Sequence, residues 1–142
     1  MRIAVLAAGV PFAPDPARRF AAELVSAFER LGHEALLVML PLPAGPLTVE
    51  HVLGLRALRL PNVDRAVAIG FPACAVRHPD KVVWMVGQAS GPPAPFARAC
   101  GLYLGESRAV YADSPEAARG MDAAVLVPCA TTWRQVVETL AS

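Results

Sequence analysis

"GFPACAVRHPDKVVWMVGQAS", residues 70–90, decides how this chain folds. The apolar run RAVAIG, residues 65–70, enters it, and the turn RHPD, residues 77–80, divides it. A second apolar run, KVVWMV, residues 81–86, leaves it and stops at Gly87-Gln88-Ala89-Ser90. Neither run alternates with polar residues, as a strand with one wet face would. Continuous apolar strands belong to parallel sheets covered on both faces. Both runs therefore deliver their carboxyl ends to one edge of a sheet, where ligands of such sheets bind.

The rest of the chain extends the pattern. RIAVLAA, residues 2–8, is a first buried strand, and residues 9–14 form a loop. Asp15 caps a helix with Pro16 at its first position. Phe20, Leu24, Ala27, Phe28 and Leu31 share one face of that helix, and Gly32 ends it in the left-handed conformation. ALLVML, residues 35–40, is a second buried strand. Residues 41–47, PLPAGPL, leave the sheet because proline supplies no ladder donor. Thr48 caps a helix reaching about Leu58, and Pro61-Asn62 breaks the chain. Arg65–Gly70 and Val82–Val86 are the third and fourth strands. The rigid loop GPPAP, residues 91–95, precedes a short helical piece around Phe96–Cys100. Arg108–Ala112 is a fifth strand. Ser114-Pro115-Glu116 starts a helix, with an acidic group suited to its positive end. Ala123–Val127 is a short sixth strand. Thr132–Leu140 is a last helix with Trp133, Val136, Val137 and Leu140 on one side.

Strands alternating with helices give an α/β chain, a three-layer αβα sandwich with a mostly parallel sheet of about six strands. The 142 residues form one domain. The carboxyl-end rim consists of loops 9–14, 70–75, 87–92 and 113–115. The composition, 55% hydrophobic and 18% charged, supports a packed core. The net charge of +1 is scattered, which excludes a nucleic-acid stripe. No apolar run reaches the ~18 residues of a membrane span. Cys74, Cys100 and Cys129 are odd in number and widely spaced, so they read as buried thiols in a reducing, cytoplasmic compartment. The opening segment reads as a core strand, with no signal peptide.

Three segments carry a resemblance. RFAAELVSAFERLGHEALLV resembles the first helix and second strand of family-4 glycosyltransferases. VDRAVAIGFPACAVRHPDKVVWMVGQ is similar to the family segment that runs strand, K-F-P-A, H-P-N-K and a strand ending in L-H-Q-H. RAVYADSPEAARGMDAAVLVP resembles the later piece where a strand ends at A-N-S and a helix follows. The match spans most of residues 1–128, and the tail 131–142 resembles the family's last helix, which packs back on the N-terminal half. The resemblance implies a Rossmann-like domain equivalent to the acceptor-side half of a GT-B enzyme. The half that grips the nucleotide-sugar is not in this sequence. In the retained half H-Q-H is Gly87-Gln88-Ala89, the lysine before F-P-A is Gly70, and the asparagine of A-N-S is Asp113. The family's glycine-rich loop is Ala13-Pro14-Asp15-Pro16, where two prolines remove two amide donors.

Transfer of a sugar requires groups that stabilise a departing nucleoside diphosphate, and no phosphate loop or carboxylate pair supplies them. Nor does the sequence show a metal or cofactor site. His33, His51 and His78 lie on unrelated elements and read as a local packing group, a solvated group and a turn group. No histidine is placed to activate Cys74, which reads as core. The residual ligand-rim candidates are Gly9, Phe12, Phe71, Pro72, Gly87, Gln88, Asp113 and Ser114. Three function classes remain: a non-catalytic binding or oligomeric scaffold, the acceptor half of a split transferase, and an independent small-molecule enzyme. The apolar loops GVPFAP and GPPAPF favour a homodimer or a partner protein at the rim, with a small sugar-like ligand.

Overall fold

The computed structural model describes residues 1–10, 16–86, 92–112, 125–126 and 133–142. Within them the order of elements is β1 (Arg2–Gly9), α1 (Pro16–Arg30), β2 (Glu34–Pro41), α2 (Val49–Ala57), β3 (Arg65–Ile69), β4 (Lys81–Met85), α3 (Ala97–Gly105), β5 (Ala109–Ala112), β6 (Val125–Leu126) and α4 (Trp133–Ala141). A single 3-10 turn, Ala73–Ala75, lies between β3 and β4, and a second, Ala94–Phe96, leads into α3.

The six strands form one parallel sheet in the order β2-β1-β3-β4-β5-β6. The chain steps outward from β1 to β2, then returns past β1 and proceeds the other way. That reversal puts α1 and α2 on opposite faces. The α1 face holds Leu24, Phe28, Val136, Val137 and Leu140 against Ile3, Val5, Val67 and Trp84. The α2 face holds Val52, Leu55, Cys100 and Tyr103 against Leu6, Ala68, Val83 and Met85. Residues alternate between these clusters along β1, β3 and β4, so after a first cationic residue each strand is apolar, because both faces are covered. The α/β three-layer architecture expected from the sequence is the one observed. Helix α4 packs directly on α1.

Several boundaries differ from expectation. Strand β2 runs through Pro41, which sits opposite Gly9. Glu34 donates its N–H to the Met1 carbonyl and Leu42 to the Gly9 carbonyl, so even-numbered amides face β1. Position 41 therefore faces away from the ladder, where a missing N–H costs nothing. As an edge strand β2 is also less buried than expected: only Leu40 is fully covered and Leu36 is 47% exposed. Helix α3 extends to Gly105, five residues past the expected end. The caps follow the sequence more closely. Thr48 Oγ1 accepts the His51 N–H at 3.2 Å, and Gly32 adopts φ +90° after α1. Asp15, the helix starting at Ser114 and the Trp133 side chain lie outside the described residues.

The β3–β4 connection is unusual in having no α-helix. Ala73, Cys74, Ala75 and Val76 are fully buried and fill the place of one. A short turn leaves its last carbonyls without helical partners. Lys81 Nζ donates to the Cys74 carbonyl at 2.6 Å, and Arg56 Nη1 to the Ala75 carbonyl at 3.3 Å. Two cations thus cap the negative end of the turn.

The amino end of the sheet is tied by a second network. Arg65, 3% exposed, donates Nε and Nη2 to Asp80 Oδ2 at 3.2 and 3.1 Å. Its Nη1 reaches the Leu140 carbonyl at 2.9 Å, and Arg108 Nη2 reaches that of Ser142 at 3.1 Å. These guanidiniums anchor the carboxyl end of α4, where cations are favoured.

Candidate functional site

Strand order reverses between β1 and β3, and the carboxyl edge of such a reversal is the place where doubly wound sheets form a ligand crevice. Leu6 lies opposite Ala68 across this pair. Gly9 and Phe71 are each three residues further along, so both border the crevice. Gly9 accepts the Leu42 N–H at 2.8 Å. Gly70 turns the chain with φ +67°, and the Phe71–Pro72 peptide bond is cis. Pro72 is buried, while the half-buried Phe71 ring lies 5.6 Å from that of Phe96. Val10, 39% exposed, stands beside Gly9.

Three of the eight rim candidates, Gly9, Phe71 and Pro72, are therefore brought together at the switch point. Phe12, Gly87, Gln88, Asp113 and Ser114 lie outside the described residues. The described residues that end β1, β3 and β4 carry no ionisable side chain. What they present is backbone, Val10 and an aromatic ring held by a second ring. Such a surface suits the apolar faces of a sugar or of another protein.

Two of the three histidines have local partners that hold their rings. His78 Nε2 donates to the Val63 carbonyl at 2.9 Å, and Nδ1 accepts the Asp80 N–H at 3.1 Å, which fixes the ring in the turn. His33 packs edge-on against Phe28. His51 is a correction: it is half-buried, and its Nε2 is enclosed with no partner among the described residues. Among those residues no group of His, Cys, Asp or Glu could hold a metal ion. Nor is any helix among them long and apolar enough to cross a membrane.

Sequence reasoning missed a buried cluster below the crevice. Cys74 and Cys100, 26 positions apart, are free thiols joined by a hydrogen bond. That bond and burial push the Cys74 thiol up, and the same bond, aided by the Lys81 ammonium, pulls the Cys100 thiol down. Lys81 is 1% exposed, and its desolvation lowers its own pKa. Strand parity was the available signal. Lys81 shares its face with Val83 and Met85, the face that α2 and α3 cover.

Two cavities lined by described residues lie at the opposite, amino end of the sheet. One, of about 620 Å³, is bordered by Arg2, Glu34 and Asp64. The other, of about 560 Å³, is bordered by Arg59, Arg77, His78, Pro79, Lys81 and Glu106.

No protein-family model matches the chain, and no curated protein matches it.

Proposed function

We propose that this chain is a glycosyltransferase-like, acceptor-side domain that acts as a non-catalytic binding or scaffold module. It uses the crevice between Gly9 and Phe71-Pro72 to hold a second copy, a partner protein or a small sugar-like ligand. One observation carries the reading: the strand-order reversal brings Gly9, Val10, Phe71 and Pro72 to one apolar border. The quoted sequence segments support the family, and the doubly wound layering agrees with it. A sugar can stack on Phe71, but a departing diphosphate needs charge that this border does not offer. The adjacent free thiols Cys74 and Cys100 fit a cytoplasmic setting.

Sedimentation equilibrium with thermal-shift screening tests this. The expected outcome is a dimer or a stable heteromer that Val10→Asp or Phe71→Ala disrupts, with stabilisation by sugar acceptors. Stabilisation of an isolated monomer by a nucleotide-sugar would overturn the non-catalytic reading. Stabilisation by a nucleotide-sugar only after a separate donor-type domain is added would favour the second reading, the acceptor half of a split transferase.

A further inference from the structure

We propose that the basin of about 560 Å³ at the amino end of the sheet is a binding site for a small phosphorylated anion. It lies at the opposite edge of the sheet from the Gly9–Phe71 crevice and does not depend on the function assigned there.

The charges around the basin do not balance. Glu106 is its one carboxylate among the described lining residues, and both of its oxygens are taken by Arg56, at 3.2 and 2.9 Å. Arg56 is further engaged over the Tyr103 ring, 4.5 Å from its centroid, and at the Ala75 carbonyl. Arg59, Arg77 and Lys81 therefore share one carboxylate among the described lining residues, and its hydrogen bonds go to Arg56. Arg59 donates only to the neighbouring Leu58 carbonyl, and Arg77 has no hydrogen-bond partner among the described residues. His78 is held by Val63 and Asp80.

Lys81 is the second observation. Lys81 borders the basin and is 1% exposed, so its ammonium lies beneath the surface beside it. One ammonium N–H is used by Cys74, and the other two have no acceptor among the described residues. A buried cation with unfilled donors is costly, and an anion in the adjoining basin offsets that cost. Two exposed guanidiniums at the mouth supply the planar forks that match phosphoryl oxygens. The volume exceeds the need of free phosphate and lies in the range of small-metabolite sites. A phosphomonoester with a compact polar body fits both features.

Isothermal titration at about 50 mM salt, where screening is modest, tests the assignment. The ligands are glycerol phosphate, inorganic phosphate and succinate, added to the full chain. Glycerol phosphate is expected to bind, with inorganic phosphate equal or weaker; the ratio separates a metabolite from the free ion, and either supports the site. Arg59→Gln/Arg77→Gln should weaken binding by about tenfold or more, because two charge-assisted contacts are lost. Its melting temperature without ligand should stay that of the parent, since both side chains are exposed. Arg18→Gln/Arg19→Gln, in the first turn of α1 at the other end of the sheet, should leave binding intact. Equal weakening by the two double variants, succinate binding as tightly as glycerol phosphate, or no binding at millimolar ligand would each overturn the proposal.

Discussion

Lys81 Nζ and the carbonyl of Cys74 are 2.6 Å apart, joining the first residue of β4 to the middle residue of the 3-10 turn that stands in place of a crossover helix. This bond lets an eleven-residue connection, 70–80, span two neighbouring parallel strands. Without it a buried carbonyl has no partner.

Lys81→Met keeps the aliphatic stem and removes the donor. The cost at neutral pH is about 2 kcal/mol, the value of a charge-assisted bond to a buried acceptor. The pH dependence has a defined sign. Burial lowers the folded pKa below the ordinary 10.5, so the unfolded chain holds the proton more tightly. Stability of the parent therefore rises with pH between the lowered folded value and 10.5. Urea melts at pH 7 and pH 10 should show the parent gaining on Lys81→Met. An unchanged difference would mean that Lys81 is solvated.

Arg65→Met removes the guanidinium that joins Asp80 to the last turn of α4. Loss of one member of a buried ion pair costs about 3–5 kcal/mol. Asp80 is partly exposed, so the lower end applies. Asp80→Asn should cost less, and the double variant should show coupling of about 1 kcal/mol or more in chemical denaturation. Additive effects would separate the two residues.

The Arg56–Glu106 pair is half-open, with side chains 20% and 44% exposed. Glu106→Gln should therefore cost no more than about 1 kcal/mol, and less in high salt. Arg56 holds the Glu106 carboxyl below the ordinary carboxylate value of 4.5. The pair's contribution is complete above that value and is lost as pH falls through the lowered one. Denaturation curves of parent and variant should converge in acid.

Two glycines respond oppositely to alanine. Gly54 lies inside α2 with open space around an added Cβ, so Gly54→Ala should stabilise by about 0.5–1 kcal/mol. Gly32 has equal space but φ +90°, so Gly32→Ala should destabilise by about 1 kcal/mol. Thermal unfolding of both variants checks the pair.

The strands were legible because their apolar runs had no other use, and the caps at Thr48 and Gly32 because their chemistry is local. The extent of β2 was not, since Pro41 is acceptable only once the direction of its amide is known, and that depends on pairing with β1. The burial of Lys81 and Arg65 was hidden similarly. Parity assigns each to a face, but only the packed turn and the placement of α4 show what awaits them there. Of the crevice, Gly9, Phe71 and Pro72 followed from topology. The meeting of Cys74 with Cys100 did not, because a separation of 26 positions carries no spacing signal.

The contact between α1 and α4 has a kinetic meaning. One helix leaves the ribosome early and the other more than a hundred positions later, yet they seal the same layer. Until the late helix arrives, a greasy stripe over Trp84 and Val67 stays open to water and to chaperones. Closing that layer therefore waits on a contact of large sequence separation, which is expected to make folding slower than for a chain of local contacts.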